Sequence, residues 1–254
     1  MLTAQELKQL SQQSRIAPFS IIREYFQTLF LSYLSQHPYN SHFIFKGGTA
    51  IRLLYQGNRF SEDIDFTVVG LDEETAAEAI SAVVTAMTRE LSISLKPVKS
   101  LAGRCFKMTF TTPLHPQPIV IKIDLSFRDF LGKFDSAPIQ TTYPILFNRL
   151  IFYYSKETIL AEKIYAILGR TKGRDLYDIW FLLSMQTPLN RSLVEQKFTL
   201  LNQTYEPQKL IDRITSFPLN SFVTDLTPFV NDQDRARLAE IHHLITTSLP
   251  TRLL

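Results

Sequence analysis

Two carboxylates lie two residues apart in a segment that alternates between polar and apolar residues. Asp63 and Asp65 alternate with Ile64, Phe66 and Val68, and this period of two predicts a β-strand with both carboxylates on one face. Like charges this close repel each other, and a cation between them relieves the repulsion. Mg²⁺ prefers carboxylate, water and phosphate oxygens as its ligands. The spacing therefore predicts a magnesium site at Asp63 and Asp65.

A glycine pair precedes these carboxylates and follows a short apolar run. Residues 43–45 suit a buried strand, and Gly47 and Gly48 permit a tight turn that leaves backbone N–H groups uncovered. We expect Thr49 to cap a helix over residues 50–55. The start of such a helix presents N–H groups and a positive dipole end to an anion. This segment is therefore predicted to bind phosphate.

A third carboxylate falls in the middle of another predicted strand. Residues 119–127 alternate, with the isoleucines inward and Asp124 on the polar face. The middle of a strand disfavours Asp. Two interpretations remain open from the pattern itself. Asp124 is either an ordinary exposed carboxylate or a functional one on a strand beside Asp63 and Asp65.

Three charged residues mark two helices in the second half of the chain. Lys163 is predicted at the border of the apolar stripe of a helix over 156–168, where a lysine usually extends its ammonium group to solvent. Asp175 and Asp178 lie three residues apart and share one face at the start of the next predicted helix. Residue type alone is explained equally well if the two carboxylates only complement the positive end of the helix dipole.

These motifs together resemble a known enzyme superfamily. The segments KGGTAIRLLY (46–55) and RFSEDIDF (59–66) resemble the nucleotidyltransferases, which carry Gly-Gly or Gly-Ser followed by Asp-x-Asp. Within that superfamily, the sequence is most similar to the AbiEii-like (MenT-like) toxins of bacterial type IV toxin–antitoxin systems. The two later motifs of that family match Glu157, Lys163, Ala166, Arg170, Arg174, Asp175 and Asp178.

The resemblance implies a reaction and a set of site residues. The reaction is Mg²⁺-dependent transfer of a nucleoside monophosphate from an NTP to an acceptor hydroxyl, with release of pyrophosphate. The implied catalytic residues are Asp63, Asp65, Asp124, Lys163 and Asp175, of which the first three bind metal. The nucleotide is held by Gly47, Gly48, Thr49, Arg59, Ser61 and Lys163. Asp175 is expected to orient Lys163 or Arg59.

The resemblance also implies an acceptor and a partner. Related toxins add nucleotides to the 3′ end of tRNA, which blocks translation, and a cognate antitoxin accompanies them. Two alternatives remain open: a nucleotidyltransferase that modifies a protein or a small molecule, and a nucleotide-binding module without catalysis. Ser61 suggests a further hypothesis, because a phosphate on its side chain would place about two negative charges beside the metal site and oppose NTP binding.

Composition narrows the class of protein. The chain has 254 residues, 45% hydrophobic and 20% charged, which is typical of a globular protein. It has no apolar run near 18 residues, so no membrane span is expected, and its polar N-terminus does not resemble a signal peptide. The single cysteine, Cys105, excludes an internal disulfide and favours a cytoplasmic location. The histidines show no zinc-type spacing.

The net charge of +3 is too small to indicate nucleic-acid binding. Basic residues outnumber acidic ones in 96–133 and 149–174, which indicates either solvated surface or a rim for a polyanion.

We expect a two-lobed α/β nucleotidyltransferase fold. Residues 1–145 are predicted to form a small mixed sheet with packed helices. Residues 146–254 are predicted to form a helical bundle that contributes Lys163 and Asp175 to an intervening cleft. The segment 92–98 is expected at a sheet edge, 218–228 is expected to be a surface connection, and 235–248 is expected to form the final helix.

Overall fold

The computed structural model describes residues 1–99, 103–128 and 132–253. The predicted basic segment 96–133 includes 100–102 and 129–131, which lie outside the described residues. Two compact units are present, one comprising Met1–Phe130 and Phe134–Tyr153, the other Leu131–Lys133 and Tyr154–Leu254. The predicted division of the chain into a catalytic lobe and a helical lobe after residue 145 stays a prediction.

The first unit is built on a mixed seven-stranded sheet, which confirms the predicted α/β class. Its strand order is β3-β4-β5-β2-β1-β7-β6. The strands are β1 (Phe43–Lys46), β2 (Ile64–Val68), β3 (Ser92–Val98), β4 (Arg104–Thr111), β5 (Ile119–Ser126), β6 (Phe134–Ala137) and β7 (Ile151–Tyr154). β2 pairs with β5 in parallel and with β1 antiparallel, while β3, β4 and β5 form an antiparallel meander.

Four helices accompany this sheet: α1 (Ala4–Ser14), α2 (Pro18–Ser35), α3 (Gly47–Leu54) and α4 (Glu73–Met87). Thr3 and Asp72 cap α1 and α4 through their side chains. α2 supplies fully buried apolar residues such as Ile22 and Phe30, and the ring of Phe26 stacks on that of Phe110 with centroids 4.1 Å apart. One sheet face is therefore covered by an apolar core, and on the opposite face β4 and β5 carry polar side chains such as Lys107, Lys122 and Asp124.

The second unit is helical. Its helices are α5 (Lys156–Gly169), α6 (Gly173–Ser184), α7 (Arg191–Thr199), α8 (Pro207–Thr215), α9 (Leu219–Leu226), α10 (Asp232–Ala236), α11 (Leu238–Ser248) and α12 (Pro250–Leu253). None of the helices in the described part of the chain is long and apolar enough to span a membrane.

Three local predictions were wrong. Thr49 does not cap α3, because the helix begins at Gly47 and Lys46 occupies the cap position without a side-chain cap. The segment 218–228 is not a surface connection but contains α9, in which Phe222 and Leu226 are fully buried. The predicted final helix is interrupted at Arg237, so that α10 and α11 are separate.

Candidate active site

The glycine pair contacts Asp65 on one side and the segment of Arg59 and Ser61 on the other. Gly47 directly follows β1 with φ +78°, a left-handed conformation that favours glycine. A Cβ atom on Gly47 would overlap the carboxylate of Asp65. A Cβ atom on Gly48 would overlap the guanidinium of Arg59 and lie 2.9 Å from Ser61 Oγ. The absence of side chains at this turn therefore allows Asp65, Arg59 and Ser61 to approach the start of α3.

Thr49 has a structural role that differs from the predicted cap. Its side chain is fully buried, and its hydroxyl donates a hydrogen bond to the carbonyl oxygen of Asp63. This bond joins the first turn of α3 to the residue that precedes β2. Any phosphate contact of Thr49 would therefore use its backbone N–H.

Strand pairing brings two of the predicted carboxylates together. Asp65 of β2 is paired with Asp124 of β5 and, on its other side, with Lys46 of β1. Directly paired residues project from the same face of a sheet. The side chains of Asp65 and Asp124 thus share the polar face of the sheet, and Asp63 lies immediately before β2.

The carboxyl group of Asp63 is in an unfavourable environment for ionisation. Burial raises its pKa to about 7, and the negative charges of Asp65, Glu62 and Asp124 add to this shift, while the nearby Lys122 opposes it. A carboxyl group that resists ionisation because it is buried near other anions would be stabilised in its charged form by a cation.

Asp124 has two close neighbours, Lys122 on its own strand and Cys105 on β4. The ammonium of Lys122 lies 2.6 Å from Asp124 Oδ2. Cys105 of β4 is directly opposite Asp124, and burial together with a hydrogen bond to Asp124 raises the pKa of this thiol to about 11. Cys105 is therefore a protonated thiol at neutral pH. Lys122 shares the face of Asp124 through the period of two, whereas Cys105 could not be found without knowing the strand register.

The site fits a magnesium ion that is shared with a substrate. No group of three or more His, Cys, Asp or Glu residues that could hold a metal ion occurs within 1–99, 103–128 and 132–253. Mg²⁺, however, is usually held by one or two carboxylates together with phosphate oxygens and water. Asp63 and Asp65, the second of which adjoins the glycine turn, fit such a donor set. The metal-binding role of all three aspartates stays a prediction.

An ion-pair network supports the segment that carries Arg59 and Ser61. Glu24 of α2 is buried and accepts hydrogen bonds from Arg52 Nε at 2.6 Å and from the Tyr143 hydroxyl at 2.9 Å. Arg52 of α3 also donates to the carbonyl of Gly57 at 2.8 Å, and its guanidinium lies 4.1 Å from the ring centroid of Phe60. The network joins α2 and α3 to residues 57–60. The sequence pattern did not predict it.

In the second unit, Lys163 is buried rather than extended to solvent. Its ammonium lies 2.9 Å from Asp175 Oδ1 and 2.8 Å from Asp178 Oδ2. Arg170 Nε lies 2.7 Å from Asp175 Oδ2. Burial opposes ionisation of Asp175, but the charge of Lys163 and the hydrogen bonds from Arg170 outweigh it and hold the pKa of Asp175 well below its usual range.

This cluster changes the interpretation of the two aspartates. Asp175 and Asp178 are each 1% exposed, so they are not surface carboxylates that merely complement the dipole of α6. The expected link between Asp175 and Lys163 is present as an ion pair. That Lys163 and Asp175 face the same cleft as Asp63 and Asp65 stays a prediction.

The family model described as the nucleotidyl transferase AbiEii toxin of type IV toxin–antitoxin systems matches residues 29–243. The chain belongs to this family. As a member of the AbiEii family, it is a nucleotidyltransferase and a toxin. The resemblance inferred from the glycine pair and the Asp-x-Asp motif is confirmed.

Solved structures agree with the AbiEii fold. The chain is similar to MenT4, the nucleotidyltransferase toxin Rv2826c of Mycobacterium tuberculosis H37Rv, with a TM-score of 0.68, 18% identity, and coverage of 100% of this chain and 93% of the other. It is also similar to a putative nucleotidyltransferase from H. pylori, with a TM-score of 0.53, 20% identity and coverage of 93% and 98%. No curated protein matches the sequence.

Proposed function

We propose that this toxin transfers a nucleoside monophosphate from an NTP to the 3′ end of tRNA in the cytoplasm, with Mg²⁺ bound at Asp63 and Asp65, and thereby blocks translation. The observation that carries the proposal is the contact of the glycine turn with the predicted site residues: Gly47 adjoins Asp65, and Gly48 adjoins Arg59 and Ser61. The glycine turn that we assign to phosphate binding and the Asp65 carboxylate that we assign to Mg²⁺ binding are therefore adjacent in the first unit.

The residues at this turn have separate roles in the proposed reaction. The N–H groups at the start of α3 bind the β and γ phosphates, because no side chain covers them at Gly47 and Gly48. Arg59, which is buried and donates to the carbonyl of Phe60 at 3.0 Å, places positive charge beside the phosphates, and the Ser61 hydroxyl adds a hydrogen-bond donor. When bound, Mg²⁺ shields the phosphate charge that repels an attacking oxygen.

Asp124 is assigned to the acceptor side of the reaction. Its carboxylate is paired in register with Asp65 and is positioned either to share a metal ion or to accept the proton of the acceptor hydroxyl. The ammonium of Lys122 lies 2.6 Å from Asp124 Oδ2.

Lys163 and Asp175 are assigned to the triphosphate. In this proposal Lys163 neutralises the phosphate charge that the Mg²⁺ ion leaves uncovered, and Asp175 orients it. The ion pair of 2.9 Å between them supports the orienting role. Asp178 and Arg170 hold the pair in place through contacts of 2.8 Å and 2.7 Å.

The family supports the remaining partners. A toxin of a type IV toxin–antitoxin system implies an antitoxin and an NTP as donor substrate. The tRNA acceptor is supported by the family resemblance and by the excess of basic residues in 96–133 and 149–174.

A transfer assay tests the proposal. Purified protein is incubated with Mg²⁺, total bacterial tRNA and each α-³²P-labelled NTP separately, beside Asp65→Asn and the exposed control Asp212→Asn. We expect label on tRNA from wild type and the control, with a loss of about 10²–10³ in rate for Asp65→Asn. Label on protein instead would support a protein acceptor. NTP binding without label on any acceptor would support the non-catalytic alternative.

A further inference from the structure

Three lysines occupy the same register position on three adjacent strands. Lys96 of β3 is directly opposite Lys107 of β4, and Lys107 is directly opposite Lys122 of β5. Directly opposed residues of antiparallel strands share a face, with Cβ atoms about 4.5–5.5 Å apart. Phe106 and Met108, which flank Lys107, are buried in the core. The lysines therefore lie on the polar face of the sheet.

This arrangement is unfavourable for the fold. Like charges that oppose each other across strands are destabilising, and all three lysines are exposed. Lys122 is paired with Asp124, but within the described residues neither Lys96 nor Lys107 forms a salt bridge. Lys96 and Lys107 therefore do not stabilise the sheet, and a bound polyanion would relieve the repulsion between them.

The lysine row leads to the candidate active site. Lys122 precedes Asp124 by two residues on β5, so both side chains project from the same face, and Asp124 is paired with Asp65. At its other end the row reaches Lys96 on β3, which is an edge strand. Strands lie about 4.8 Å apart, so the row extends for about 10 Å from the sheet edge toward the carboxylates.

We propose that Lys96, Lys107 and Lys122 bind the sugar–phosphate backbone of the acceptor RNA and guide its 3′ end to Asp65 and Asp124. The inference rests on the proposed function. A regular line of cations on a polar sheet face matches the regularly spaced charges of a phosphodiester chain. The next residues along β3 and β4 on that face, Ser94 and Thr109, are also polar, which suits RNA better than an apolar protein partner.

The test is the salt dependence of tRNA binding. The Kd of fluorescein-labelled total tRNA is measured by anisotropy from 50 to 300 mM NaCl, without NTP or Mg²⁺, for wild type and for the double variant Lys96→Gln/Lys107→Gln. We expect weaker binding and a slope of log K against log salt that falls by about two, since each phosphate contact contributes about 0.9. The double variant should melt no lower than wild type, because its removal of like charges relieves repulsion.

A charge-matched control makes the result specific. Lys8→Gln/Arg89→Gln removes two exposed positive charges from the same unit, and it should keep the wild-type slope. An equal fall in both double variants, or no fall in either, would overturn the inference. So would an equal effect of Lys96→Gln/Lys107→Gln on the binding of poly-glutamate, which would indicate an unspecific anion surface.

The two proposals fail in different ways. Because binding is measured without catalysis, a wild type that binds tRNA through the row but labels nothing would contradict the transfer reaction alone. If wild type labels tRNA but the Lys96→Gln/Lys107→Gln variant keeps the wild-type slope, only the proposed role of the lysine row is contradicted.

Discussion

Gly47 and Gly48 matter because, without side chains, they leave room for neighbouring residues to approach the start of α3. Each glycine is adjacent to another residue that was singled out from the sequence: Asp65 beside Gly47, and Arg59 and Ser61 beside Gly48. Gly47 additionally has a left-handed backbone conformation. The glycine pair and the Asp-x-Asp motif are therefore two parts of one packing arrangement, in which neither can change without disturbing the other.

Gly47→Ala should abolish most nucleotide transfer. The added Cβ would overlap the carboxylate of Asp65, and the left-handed conformation costs a non-glycine residue about 1–2 kcal/mol. Gly169→Ala is the matched control, because a Cβ at that helical position meets no atom within 4 Å. Labelled transfer and thermal melting are measured for both variants. A Gly47→Ala enzyme as active as Gly169→Ala would contradict the assigned role of the turn.

The pKa of Asp63 gives a prediction for stability in the absence of metal. In the unfolded chain an Asp titrates near 3.9, whereas the folded value is about 7. Between about pH 4 and pH 7 the folded state therefore binds the extra proton, and the contribution of Asp63 to stability falls as pH rises through this window, by at most about 1.4 kcal/mol per pH unit.

The measurement is urea unfolding in EDTA at several pH values. Asp63→Asn lacks the titrating group, so its free energy of unfolding should fall less steeply than that of wild type between pH 4 and pH 7. Parallel curves for the two proteins would show that Asp63 has an ordinary pKa in the folded state.

Among the helices, α5 and α6 are joined by a buried charge. Lys163 on α5 contacts both Asp175 and Asp178 on α6. The start of α6 is held in turn by α9, because Asp225 accepts a hydrogen bond of 2.9 Å from the backbone N–H of Arg174. A Cβ on Gly173 would lie 2.7 Å from the backbone of Phe222. The family motif in this region thus depends on a helix outside the motif.

Lys163→Met should destabilise the protein by about 3–5 kcal/mol, because the change leaves two buried carboxylates without their shared cation. Adding Asp178→Asn should recover part of this loss, since one of the two carboxylates that lost the ammonium is then replaced by a neutral amide. Urea unfolding measures both effects. If Lys163→Met loses transfer but keeps its stability, the lysine has no structural role and acts on the substrate alone.

Short-range sequence patterns were enough to predict much of this arrangement. The alternation around Asp65 and Asp124 predicted their strands, and the spacing of the glycine pair predicted the turn. These patterns carry no information on which distant strands pair with each other. Cys105 and Lys107 became neighbours of β5 residues only through the register, and β6 and β7, with four residues each, were too short to give a periodic signal.

The wrong predictions have identifiable causes. Pro218 and Pro228 were interpreted as marks of a loop, but Pro218 occupies the cap position of α9, where its missing N–H group is no loss. Thr49 has a residue type that suits a helix cap, but its hydroxyl bonds to the carbonyl of Asp63 instead. At Thr49 a tertiary contact thus replaced the local one.

The whole chain comprises two compact units, each with its own buried core. The predicted metal ligands and the glycine turn belong to the first unit, and the Lys163 cluster belongs to the second. Ligand binding and stability are coupled, because any ligand that binds only the folded state stabilises it. Binding of donor nucleotide to this protein is therefore measurable as a change in melting temperature.

Mg²⁺ and a non-hydrolysable NTP analogue together should raise the melting temperature more than either does alone, since phosphate oxygens complete the coordination that two carboxylates begin. At a ligand concentration of 100 times Kd, the stabilisation is about 2.7 kcal/mol. Differential scanning fluorimetry compares wild type with Asp65→Asn and Asp212→Asn. An Asp65→Asn protein with the full combined shift would exclude Asp65 from metal binding.

The parallel pairing of β2 with β5 also has a consequence for synthesis of the toxin. Asp65 acquires Asp124 as its neighbour only after the ribosome has added the two intervening strands and β5 has returned to lie beside β2. Pairing of strands so distant along the chain is slow, because loop-closure entropy opposes it. A nascent chain that stops before Ile119 carries the glycine pair and the Asp-x-Asp motif without the opposing carboxylate. The order of synthesis thus delays completion of the candidate site until β5 has paired with β2.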